Sequence, residues 1–215
     1  MTINIEKKHI FASAVILGIL ILAILGVGLV KNSTYMKRAK HCQKDIHNLY
    51  YVSSLMASEL HDVWSDYIFE DKEYIDRNTG KFYKSPWNAP DSADVHYCSN
   101  FSCAITEKSD YYGKQGVNDI IDSLYASVKQ LMTKMTPAPK KYSEIHSSIN
   151  ALFHTTEAMY NCASSPEGNL RSYTEQINLL SSDYKKQESQ VDIEIGELKE
   201  EEYEDFELEI LFKFL

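Results

Sequence analysis

The 21 residues from Ile10 to Val30, "IFASAVILGILILAILGVGLV", carry no charge. At about 1.5 Å of rise per residue, a helix of that length roughly matches a hydrocarbon core ~30 Å thick. The run predicts a transmembrane helix over 10–30, preceded by a short N-terminal tail, 1–9. A cleaved leader has an apolar stretch of about 7–15 residues followed by a small-x-small site. Neither is present, and the first cysteine, Cys42, lies too far on for a lipid anchor. The expectation is a retained signal anchor in a single-pass protein of the cell membrane. Gly18, Gly26 and Gly28 do not make a GxxxG spacing, which favours lipid packing over helix pairing.

Orientation is contested within the sequence. Lys7 and Lys8 precede the span, whereas Lys31, Lys37, Arg38, Lys40 and Lys44 follow it. Loop charge alone places the following domain in the cytoplasm. An N-terminal apolar segment more commonly leaves its tail inside, and an even set of four cysteines suits an oxidising compartment. The reading adopted is an extracytoplasmic C-terminal domain.

The net charge of −9 is concentrated at one end. Nine acids and one lysine between Glu194 and Glu209 account for −8, leaving −1 for the remainder. A nearly neutral domain offers no electrostatic footprint for nucleic acid.

Beyond the anchor, residues 33–198 read as a helical bundle domain. A first helix, capped by Ser33 or Thr34 and running to about Glu70, aligns Leu49, Val52, Met56, Val63 and Tyr67. A second aligns Val117, Ile121, Leu124, Val128, Leu131 and Met135. Tyr142, Ile145, Ile149, Leu152, Met159 and Ala163 mark a third, with Thr156 in its gap. The fourth carries Leu170, Tyr173, Ile177, Leu180, Tyr184, Gln187 and Val191. Steps alternating between three and four make narrow, coiled-coil-like apolar seams. The "TPAPKK" break from Thr136 separates the second helix from the third, because proline is tolerated only in a first turn. In "SSPEGN", Ser165 reads as the N-cap of the fourth, with Pro166 at its first position. Short connections join antiparallel neighbours, so the fold class is all-α, an up-down four-helix bundle.

Residues 71–116 form a long insertion between the first and second bundle helices and read as irregular. Asn78-Thr79-Gly80 is a hairpin-turn candidate. Aromatic residues crowd the stretch, which argues against disorder. Tyr83, Trp87, Tyr97, Tyr111 and Tyr112 are the candidate binding surface, for a protein, peptide or glycan. The plainer reading of the same rings is a cap over the bundle's membrane-distal end, and it is preferred to a binding surface at this point. The tail, 199–215, alternates Phe206, Leu208, Ile210, Phe212 and Phe214 behind its acids. That pattern suits an edge strand or a frayed, solubilised end.

The chemistry-bearing motifs are sparse. HExxH, GxSxG, the P-loop and GxGxxG are missing, Gly26-Val27-Gly28 falling inside the apolar span, and so are paired Glu-x-x-His repeats. His41, Asp45 and His61 are too dispersed along one helix to share an ion. His146, Asn150 and His154 form a row along a flank rather than a cage. Cysteines are the stronger signal. Cys98 and Cys103 enclose a short loop and are the expected disulfide. Cys162, at the distal end of the third helix, is the rival partner, while Cys42 lies at the membrane end. A His96, Cys98, Cys103, Cys162 zinc set is conceivable, but its spacing is a loose match. No metal and no cofactor are therefore assigned.

The segment "PAPKKYSEIHSSINALFHTTEAMYNCASSPEGNLRSYTEQIN" resembles a pattern in uncharacterised membrane-anchored or secreted helical proteins of Gram-positive bacteria. A proline- and tyrosine-opened helix there leads through a Pro-x-Gly-x-Leu-x-Ser-Tyr turn, matched by Pro166, Gly168, Leu170, Ser172 and Tyr173. The resemblance implies a helical hairpin outside the cell and carries no catalytic residue.

The expected function is accordingly non-enzymatic: a tethered extracytoplasmic domain with a binding or envelope-associated role. A ligand-sensing ectodomain acting through a partner membrane protein is the alternative, and a metal-dependent enzyme comes behind it.

Overall fold

A computed structural model describes the backbone of residues 3–196 and the side chains of residues 34–196. Within it run α1 (Ile3–Phe69), β1 (Tyr74–Asp76), β2 (Lys81–Tyr83), β3 (Val95–Tyr97), α2 (Phe101–Lys114), α3 (Val117–Met135), α4 (Ser143–Ser164) and α5 (Leu170–Ile195). Short 3-10 turns occupy Pro86–Asn88 and Lys140–Tyr142. The chain is mostly helical, as expected.

The expected anchor, 10–30, lies outside the residues whose side chains are described, and the 199–215 tail lies outside the described residues altogether. Among the described residues, no helix is long and apolar enough to cross a membrane. The helix runs unbroken through Ser33 and Thr34, so the N-cap expected there is not formed.

Three helices, α3, α4 and α5, assemble around α1 to make the four-helix bundle. Their directions follow from specific pairs. Arg38 donates to the Lys134 carbonyl at 3.2 Å and Ser127 to Asp45 at 2.6 Å, so α3 descends beside an ascending α1. Tyr35 stacks on Tyr142 at 5.0 Å, which starts α4 at the lower end. Gln43 donates to Asp192 at 2.6 Å while Trp64 meets Tyr173 at 5.3 Å, so α5 descends again. The seam residues lie where their spacing placed them: Leu49, Val52, Ile121, Val128, Ile149, Leu152, Met159, Tyr173 and Val191 are buried. Burying each large aliphatic side chain contributes about 1.5–3 kcal/mol, enough for a few seams to offset much of the ordering cost.

One boundary differs from expectation. Ser165 caps the end of α4, and the N-cap of α5 is Asn169, which accepts from the Ser172 backbone while the Ser172 hydroxyl reaches back to the Asn169 N–H. Proline at the first turn is a weaker start signal here than a reciprocal cap, which satisfies two otherwise orphaned donors.

The insertion is ordered rather than irregular. It holds a three-stranded antiparallel sheet, in the order β2-β1-β3, followed by the 14-residue α2. The hairpin forms around Asn78-Thr79-Gly80, with Tyr74 opposite Tyr83 and Asp76 opposite Lys81. Asp76 explains the turn. Buried at the end of β1, its carboxylate accepts from the Asn78 N–H at 3.0 Å, the Thr79 hydroxyl at 2.8 Å and the Asp94 N–H at 3.1 Å. One side chain thus ties both chain reversals, and Gly80 completes the first at φ +66°.

Candidate functional site

Alternation along the strands sorts the insertion's aromatic residues. Tyr83, Tyr74 and Tyr97 are cross-strand partners and share one sheet face, with the Tyr74 and Tyr97 rings 5.1 Å apart. Ile75, Phe82 and His96 share the other face, where Ile75 is buried against a small second core with Val63, Cys98 and Ala104. Beyond β2, Ser85 caps the Pro86–Asn88 turn by accepting from the Trp87 N–H at 3.3 Å. That turn presents Trp87 at 93% exposure, and Tyr97 is 49% exposed. Two residues expected on this surface lie elsewhere. Tyr111 and Tyr112 are buried on the core side of α2 and flank the buried Lys108 at 5.3 and 5.2 Å from its ammonium. Lys108 also pairs with Glu59 at 3.1 Å and donates to the Gly80 carbonyl at 3.4 Å, so these residues fasten α2 to α1 and the hairpin. The exposed aromatic residues of the sheet and its turn are therefore Trp87 and Tyr97, with Tyr74 and Tyr83 half-buried beside them.

Cys98 and Cys103 meet where β3 leads into α2. Both are free thiols, with sulfurs 2.8 Å apart. Asn100, between them, caps α2 by accepting from the Cys103 N–H at 2.9 Å, which fixes one sulfur in the helix's first turn. Cys98 is fully buried, and burial, with the hydrogen bond to Cys103, pushes its thiol well above the ordinary value. The ligand atoms of His96, Cys98 and Cys103 all lie within 4.8 Å of one another, donor types that suit zinc. Cys162 is not among them. It sits in the main core, its carbonyl accepting from the Tyr173 hydroxyl at 3.2 Å. The four-residue zinc set is thus not assembled. Glu107 lies 3.5 Å from His96, but the Arg77 guanidinium grips it through Nε and one Nη. That hydrogen bonding holds the Glu107 carboxyl below its usual range against the opposing effect of burial.

The other flagged histidines stay apart. His41 pairs with Asp45 at 3.6 Å, His61 with Asp62 at 3.1 Å and His154 with Glu157 at 3.5 Å. A cluster the sequence reading passed over lies between α1 and α5. His47 and the Tyr184 hydroxyl both bond Glu188, at 2.9 and 2.7 Å, and Tyr50 stacks on Tyr184 at 3.5 Å. The i,i+4 spacing of Glu188 from Tyr184, a residue of the fourth seam, is the available signal.

Compared with known proteins, the chain matches no family model, no curated protein and no solved structure.

Proposed function

We propose that the chain is a membrane-tethered binding protein of non-enzymatic function. Residues 10–30 hold it in the membrane as a single-pass anchor, the up-down bundle stands outside, and the aromatic face of its distal sheet grips a protein partner. The observation that carries this reading is Trp87, 93% exposed on a capped turn beside the Tyr74, Tyr83 and Tyr97 row. Tryptophan and tyrosine dominate the energetics of protein interfaces, and leaving such rings in water gains a monomer nothing. Charges of both signs surround them, including the Lys84–Glu70 pair at 3.4 Å, which suits the polar rim of an interface. The resemblance of residues 137–178 to membrane-anchored or secreted helical proteins of Gram-positive bacteria is in keeping with an outward address.

The test is a photo-crosslinking residue placed at the exposed position 88, beside an intact Trp87, in the source cell. A single discrete adduct that Tyr97→Ala reduces at least tenfold is the expected result. Absence of any adduct from a folded, membrane-located protein would sink the proposal. Trp87→Ala itself should change stability by no more than about 0.5 kcal/mol, because exposed positions contribute little to folding.

A further inference from the structure

The insertion helix leaves a gap in the bundle. α2 packs principally on α1 and α3, so α2 and α4 stand apart over their shared neighbours. Between them lies a cleft of about 460 Å³, within the usual size of small-molecule sites. Its floor is apolar and buried: Met56, Leu60, Tyr112, Ile121 and Ala163. The rim is polar, with Thr106, Ser109 and Asn118 beside the carboxylates of Asp110 and Asp122, and no basic side chain lines the cleft.

From this arrangement we infer that the cleft binds a small organic cation, a primary amine on an apolar body. An anion would face two carboxylates with no compensating charge, whereas an ammonium gains them as charge-assisted acceptors. The wall is also held in place before any ligand arrives. Tyr160 stacks on Tyr125 at 4.4 Å and donates its hydroxyl to Asp122 at 2.9 Å, which fixes both ring and carboxylate. A carboxylate accepts more than one donor, so Asp122 retains capacity for an ammonium. Asn118 reaches the Ser109 carbonyl at 3.5 Å and braces α3 against α2 across the opening. Pre-ordering of this kind lowers the entropic cost of binding. The site uses none of the residues of the aromatic tip, and occupancy would bear on how α2 sits against the bundle, the behaviour a sensing domain needs.

The experiment is calorimetric titration of the purified protein in detergent with two primary amines, phenethylamine and cadaverine. The matched controls are 3-phenylpropanoate and 2-phenylethanol. Saturable binding of at least one amine is expected, at least tenfold tighter than either control. Asp110→Asn and Asp122→Asn should each weaken it about tenfold, and Ser109→Lys, which sets a cation on the exposed rim, should abolish it. All three positions are at the surface, so circular dichroism should report an unchanged fold. The proposal is overturned by no saturable amine binding at millimolar concentration, by equal binding of the carboxylate, or by binding indifferent to all three substitutions.

Discussion

Single residues decide how the insertion holds together. Gly80 sits at φ +66°, and a methyl group added there would come within 2.7 Å of the Tyr111 ring. Backbone preference and a steric clash with a buried ring act in the same direction. Gly80→Ala should therefore destabilise the protein by about 1–3 kcal/mol, read from the denaturation midpoint. The cysteine pair makes a second, separate claim. With sulfurs 2.8 Å apart, oxidation needs little rearrangement, although closing so short a loop stabilises less than closing a long one. Protein isolated from an outward location, with thiols trapped, should be two hydrogen masses lighter than the fully reduced chain, and Cys98→Ser should remove the difference. Untrapped protein that carries stoichiometric zinc, with no mass difference from the reduced chain, would instead favour the His96, Cys98, Cys103 donor set.

At the scale of elements, helix seams were legible in the sequence and helix ends were less so. The α3 pattern from Val117 to Met135 coincides with the observed helix, because alternating three- and four-residue steps leave one buried stripe and few alternatives. The start of α5 was misplaced, since Pro166 is a one-residue cue whereas the Asn169–Ser172 cap is reciprocal. The small sheet was half visible: its turn residues stood out, but strands of three residues are too short to show a period. What no single helix reveals is pairing between helices, and Glu188 is the example. Burial alone would raise its carboxyl; hydrogen bonds from His47 and Tyr184 outweigh that and leave it below the ordinary value of 4.5. A depressed carboxylate contributes stability that is present above its unfolded pKa and lost as pH falls through the folded one. Glu188→Gln should therefore cost about 1–3 kcal/mol at neutral pH. It should also flatten the loss of stability on acidification below about pH 4.3, where an unfolded glutamate takes up its proton. Urea midpoints at pH 7 and pH 3 for both proteins check this; parallel losses would remove Glu188 from the account.

For the whole molecule, the proposed anchor poses the question of which side of a membrane the bundle would occupy, and burial determines how it can be asked. The native cysteines are poor reporters: Cys42, Cys98 and Cys162 are buried, and only Cys103 is partly exposed. Burial also pushes the Cys42 thiol up to about 12, far from the thiolate that maleimide chemistry needs. A reporter must therefore be added where it disturbs nothing. Ser182, on the outer face of α5 and remote from the tip and its sulfurs, is exposed. In cells expressing Ser182→Cys, a membrane-impermeant maleimide should label the chain without lysis, because the proposed topology puts α5 outside. The positive flank from Lys31 to Lys44 argues for the opposite arrangement through the positive-inside preference. Labelling confined to lysed cells would decide for those charges, move the aromatic tip to a cytoplasmic partner, and remove the oxidising environment on which the Cys98–Cys103 bond depends. Substituting Lys37, Arg38 and Lys40 with glutamine tests the same competition from the other side. If the apolar span and its N-terminal position already dominate, labelling of intact cells should stay unchanged.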